Sequence, residues 1–176
     1  MGSKSSTPLV AADVLKEAKK RVSKEVLEKL ETDWGDKHKK AEIGIEDFSK
    51  LMQNLPEAEI ESLFKLYDIN HNGKISWKEY VCTVVLIMNG TLEEKLELLF
   101  NAFDEDRNQR ISRKEFSTAV SKFSKENNAE FIEEAFNQCD KNKDDTISKD
   151  EFWDFINNDV NLFKRVCGIL AVGLLD

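Results

Sequence analysis

Apolar side chains return at helical spacing in a series of short blocks: Phe64 and Tyr67, Phe100 and Phe103, Phe136 and Cys139. Each block runs into a polar stretch that opens on an aspartate, Asp68, Asp104 or Asp140. An isoleucine follows seven residues later, and then a second apolar block, such as Tyr80, Val81 and Val84 or Phe116, Ala119 and Val120. The pattern predicts helix, polar loop, helix, and it repeats. Four strings align, beginning at Ile43, Ile75, Ile111 and Ile147 and ending in Phe48, Tyr80, Phe116 and Phe152; their spacings are 32, 36 and 36 residues. The expected fold is all-α, built from four such units.

The last three loops fit the calcium template D-x-[DN]-x-[DN]-G-x5-E. The second unit offers Asp68, Asn70, Asn72, Gly73 and Glu79. The third offers Asp104, Asp106, Asn108 and Glu115, with Gln109 at the glycine position; the fourth offers Asp140, Asn142, Asp144 and Glu151, with Asp145 there. Ca2+ is a hard cation that takes about six to eight oxygens at about 2.3–2.6 Å. Alternate side chains at loop positions one, three and five can converge on it. Position seven contributes a backbone carbonyl (Lys74, Arg110, Thr146), position nine acts through water (Ser76, Ser112, Ser148), and the glutamate at twelve can give two oxygens. That last feature favours Ca2+ over its competitor Mg2+. The serines also open Ser-x-x-Glu strings, which cap exiting helices. Position six needs a left-handed backbone, which glutamine tolerates less well than aspartate. In these features the sequence resembles the EF-hand superfamily over nearly its whole length. That resemblance implies two adjoining lobes whose units pair through short β-bridges at loop position eight, Ile43 with Ile75 and Ile111 with Ile147.

The first unit departs from the template. Its loop, Asp36 to Asp47, has His38 and Lys40 at positions three and five, and Lys37 and Lys39 add positive charge. No ion is expected there. The organisation is therefore a segment 1–12, a lobe 13–89, a second lobe 91–157 and a tail 158–176. Gly90 ends one helix and Thr91-x-x-Glu94 starts the next, a joint short enough to hold the lobes side by side.

Composition narrows the classes. Over 176 residues, 40% are hydrophobic and 34% charged, with eleven phenylalanines, two prolines and a net charge of -8. A nucleic-acid binder is not expected from such charge. Three well-separated cysteines, Cys82, Cys139 and Cys167, suit buried thiols in a reducing compartment. The histidines fall in loops, Gly73-Lys74 lacks the rest of a phosphate loop, and no Gly-x-Ser-x-Gly string occurs. Enzymatic activity is not expected.

The ends carry their own signals. Met1-Gly2-Ser3-Lys4-Ser5-Ser6 is an N-myristoylation pattern with Gly2 as acceptor. Residues 1–24 hold six cations against two carboxylates, a second attraction to anionic membrane. The plain alternative is the solvated face of a helix whose other face carries Val14, Leu15, Ala18 and Val22. The tail places Leu162, Phe163, Val166, Ile169 and Leu170 on one face. It is either a closing core helix or a plug for a target groove, the nearest such groove lying around Trp77, Val81, Val85 and Met88.

Ser76-Trp-Lys-Glu-Tyr-Val-Cys82, Asn89-Gly-Thr-Leu-Glu-Glu-Lys95 running on to Asn101-Ala-Phe-Asp104, Ser23-Lys-Glu-Val-Leu-Glu-Lys-Leu30 and the lipid motif resemble the neuronal calcium sensor family. That resemblance implies an inactive first loop, an exposed hydrophobic groove, and calcium-dependent engagement of membranes and of a target protein's amphipathic helix. The family's Cys-Pro pair in the first loop is absent, and calcineurin B-like regulatory subunits share the plan. The expectation is a cytoplasmic calcium sensor binding two or three Ca2+, peripheral to the membrane when acylated. A cytosolic buffer and a calcineurin B-like subunit are the alternatives.

Overall fold

The computed structural model describes residues 12–35, 42–52, 55–124 and 128–167. Gly2, the cationic stretch of the first loop (residues 36–41) and residues 168–176 of the tail lie outside them. The described helices are α1 (Ala12–Lys20), α2 (Lys24–Trp34), α3 (Ile45–Leu51), α4 (Glu57–Tyr67), α5 (Trp77–Asn89), α6 (Leu92–Phe103), α7 (Arg113–Phe123), α8 (Ala129–Cys139), α9 (Lys149–Asn158) and α10 (Val160–Cys167). Two short strands, β1 (Arg110–Ser112) and β2 (Thr146–Ser148), pair antiparallel with Ile111 opposite Ile147. In the first lobe the expected pairing is an isolated bridge, Ile43 with Ile75, closed by N–H···O bonds of 2.9 and 2.8 Å. All four isoleucines are buried, so each bridge also anchors its loops to the core.

Local sequence explains where the helices begin. Ser76, Thr91, Ser112 and Ser148 each cap a helix while a glutamate three residues on, Glu79, Glu94, Glu115 or Glu151, accepts from the cap's backbone N–H. Ser23 and Asn128 cap α2 and α8 through their side chains. Gly90 does end α5, but for a reason other than a left-handed backbone. Its φ is -71°, and a Cβ there would lie 2.4 Å from the Leu86 carbonyl oxygen.

The phenylalanines build the core. Phe100, Phe103, Phe116, Phe136 and Phe152 are almost wholly inaccessible and meet mostly edge-on or tilted at 5.4–5.9 Å between centroids. In the first lobe Phe48, Tyr67, Tyr80 and Trp34 form the corresponding cluster. Cys82 and Cys139 are buried free thiols whose pKa values burial pushes up, that of Cys82 to about 11. α1 packs on α5 with Ala18 buried, and Arg21 pairs with Glu94 at 2.7 Å. No described helix is long and apolar enough to cross a membrane.

α10 packs on α7, α8 and α9, with Leu162 and Val166 buried. Of the two expectations for the tail, residues 160–167 follow the closing helix, seated on the second lobe one residue, Asp159, after α9. In the set expected to form a groove around Trp77, Val81 and Val85 are themselves core residues; Met88 is exposed and Trp77 partly buried.

Candidate metal centres

Each of the last three loops joins a helix that ends at its opening aspartate to a helix that starts after its serine. The aspartate at position one is almost buried in all three: Asp68, Asp104 and Asp140. Burial of a carboxylate is costly unless donors or a cation meet it. The chain supplies donors by folding back. Asp68 accepts the N–H groups of Asn72 and Gly73 at 3.1 and 2.8 Å. Asp104 accepts those of Asn108 and Gln109 at 3.1 and 2.9 Å, and Asp140 those of Asp144 and Asp145 at 3.2 and 3.0 Å.

Such a turn requires left-handed residues. Position six provides one in each loop, with φ of 77° at Gly73, 68° at Gln109 and 61° at Asp145. The glutamine therefore adopts the conformation its position demands. Position four provides another, His71, Arg107 and Lys143 at 55°, 62° and 59°. Sequence reading missed these: histidine is enriched at positive φ, so His71 carried a weak signal, whereas Arg107 and Lys143 carried none.

Positions three and five turn their side-chain oxygens onto neighbouring N–H groups, as when Asn70 Oδ1 accepts from Asn72 and Asn72 Oδ1 from Lys74. The glutamate at twelve reaches back in every loop. Glu79 accepts from Asn70 N–H through Oε1 and from Ser76 through Oε2. Glu115 repeats this with Glu105, Asp106 and Ser112, and Glu151 with Lys141, Asn142 and Ser148. The position-nine serine hydroxyls thus donate to position twelve, at 2.6–2.7 Å.

The electrostatics separate the third and fourth loops. One oxygen each from Asp104, Asp106 and Glu115 lie within 4.8 Å of one another, a convergence unique to this trio among the described residues. The Asp104 carboxyl is pushed up by burial and by the charges of Glu115 and Asp106. In the fourth loop Asp144 goes the other way, down to about 2, because Thr146, Asn142 and Arg110 donate to it. Burial opposes ionisation of Glu151, yet donors from Ser148 and Asn142 leave its pKa lowered.

A family model described as an EF-hand domain pair matches residues 57–121 and again 93–157. The chain belongs to the EF-hand family. No curated protein matches significantly. EF-hand membership assigns calcium binding, and the donor sets fit it. They are all oxygen, combine carboxylates with amide and carbonyl groups, and would hold Ca2+ through Asp68, Asn70, Asn72, Lys74 O and Glu79 and their counterparts in the next two loops. A bound Ca2+ would supply the positive charge that the gathered carboxylates lack. Of the first unit's loop, residues 42–47 are described; Asp47, at position twelve, lies on α3 and pairs with Lys50 at 2.6 Å.

Proposed function

We propose that this EF-hand protein is a calcium sensor. It binds Ca2+ in the second, third and fourth loops, opens an apolar groove to a target's amphipathic helix, and acts at a membrane surface through acylated Gly2. α10 carries the preference for a sensor over a buffer. It is an amphipathic helix seated among α7, α8 and α9, held by buried Leu162 and Val166 and by Ser124 Oγ–H donating to Arg165 O at 2.5 Å. A cleft that takes one such helix is the kind of surface a sensor presents. α10 is tethered beside it and so competes at high effective concentration. Storage alone needs neither that cleft nor a lipid motif.

Calorimetric titration of the full chain, with and without Mg2+, is expected to give two or three calcium ions. Glu79→Gln, Glu115→Gln and Glu151→Gln should each remove at most one. Truncation after Asn161 should increase calcium-dependent binding of a hydrophobic dye. Equal dye binding with and without calcium, together with tight Mg2+ binding, would identify a buffer. Co-expression with an N-myristoyltransferase should add one acyl chain that Gly2→Ala abolishes, and the acylated protein should sediment with anionic vesicles in a salt-sensitive manner.

A further inference from the structure

We propose that Arg110, in the third loop, sets the calcium affinity of the fourth loop by holding Asp144, so that calcium and an internal guanidinium compete for one carboxylate. The proposal rests on the calcium reading of the fourth loop. Arg110 Nη1 lies 2.9 Å from Asp144 Oδ2 and 2.8 Å from Thr146 Oγ1. The backbone fixes this reach. β1 and β2 pair Arg110 with Ser148, which makes Thr146 its diagonal neighbour on the adjacent strand. The guanidinium is thus delivered to position five of the next loop by the ladder that joins the two units.

Asp144 is saturated where it stands. Oδ1 accepts Thr146 N–H and Oγ–H at 3.0 and 2.7 Å, and Oδ2 accepts Arg110 and Asn142 Nδ2 at 2.9 and 3.0 Å. Its oxygens do not converge with those of Asp140 and Glu151, whereas the third loop's trio does converge. Position five of the second and third loops is a neutral asparagine, Asn72 and Asn108. Arg110's own contribution to the third loop is its backbone carbonyl, which its side chain does not alter. One residue therefore serves the third loop through its main chain and restrains the fourth through its side chain.

The test isolates the fourth loop in the full chain with Glu79→Gln and Glu115→Gln, then measures calcium association by calorimetry. Arg110→Met is expected to raise that association constant about two- to fivefold, the range for a half-exposed ion pair. Arg113→Met removes an equal charge nearby, one that pairs with Asp145 rather than with a template residue; its effect should stay under about twofold. In an Asp144→Asn background the gain from Arg110→Met should vanish. Equal effects of the two arginine variants, a gain that survives Asp144→Asn, or no gain at all would overturn the proposal while leaving calcium binding intact. If no variant binds calcium in the fourth loop, the calcium reading of that loop fails and the proposal with it.

Discussion

A glutamine at φ 68° carries strain that a glycine would not. For a residue with a Cβ the left-handed region costs about 1–2 kcal/mol. Replacing Gln109 by glycine removes that cost but adds back unfolded-chain entropy of about 0.4–1 kcal/mol. The N–H bond to Asp104 is a backbone bond and survives the change. A net gain of about 0–1.6 kcal/mol is expected, with melting temperature rising by about 2–4 °C per kcal/mol for a chain of this size. A melting scan of the metal-free protein measures it, and a fall would show that the glutamine side chain makes a compensating contact. The template spacing pointed to this position in advance, because position six is defined by its backbone. It was silent about His71, Arg107 and Lys143, whose positive φ follows from closing the turn onto the aspartate rather than from their own chemistry.

Helix starts were the most legible elements, since Ser-x-x-Glu and Thr-x-x-Glu are local and self-sufficient. What the strings could not reveal is a second use of the same glutamate. Glu94 closes the capping box of α6 and also takes Arg21 from the end of α1 at 2.7 Å, while Asn89 Nδ2 donates to Arg21 O at 3.0 Å. Nothing within a residue of Glu94 announces a partner 73 positions away. The Arg21 guanidinium, ahead of the opposing effect of burial, holds the Glu94 carboxyl below its ordinary 4.5. A depressed carboxylate contributes stability above its unfolded value and loses it as pH falls through the folded one. Arg21 stays protonated throughout. Glu94→Gln should therefore cost about 1 kcal/mol near pH 6, cap and partly exposed pair together. At a pH below the lowered folded value the variant and the native protein should melt alike. A difference that persists in acid would assign the effect to packing rather than to charge.

Across the whole molecule the two lobes meet through α4, which packs on both α6 and α7. Neighbouring contacts are polar and exposed. Lys65 pairs with Glu105 at 2.8 Å, His71 Nδ1 lies 3.0 Å from Glu105 O, and Arg107 Nη1 donates to Asn70 O at 3.4 Å. Pairs of that kind contribute little individually. The closer approach is at Ser62, which is fully buried and donates to the Lys122 carbonyl at 3.2 Å. A small side chain lets α4 and α7 come together there, and in the sequence it is one serine among many. Ser62→Leu inserts volume at the crossing, and overpacking of this kind costs about 1–3 kcal/mol. Because the cost falls on the contact between lobes, cooperativity should suffer more than the stability of either one. Scanning calorimetry of the native chain should show one transition whose calorimetric and van't Hoff enthalpies agree, and the variant should show two, or a calorimetric enthalpy clearly above the van't Hoff value. A single sharp transition displaced to lower temperature would mean that the lobes are coupled by the broader α4–α6 packing, with Ser62 only one contact among several.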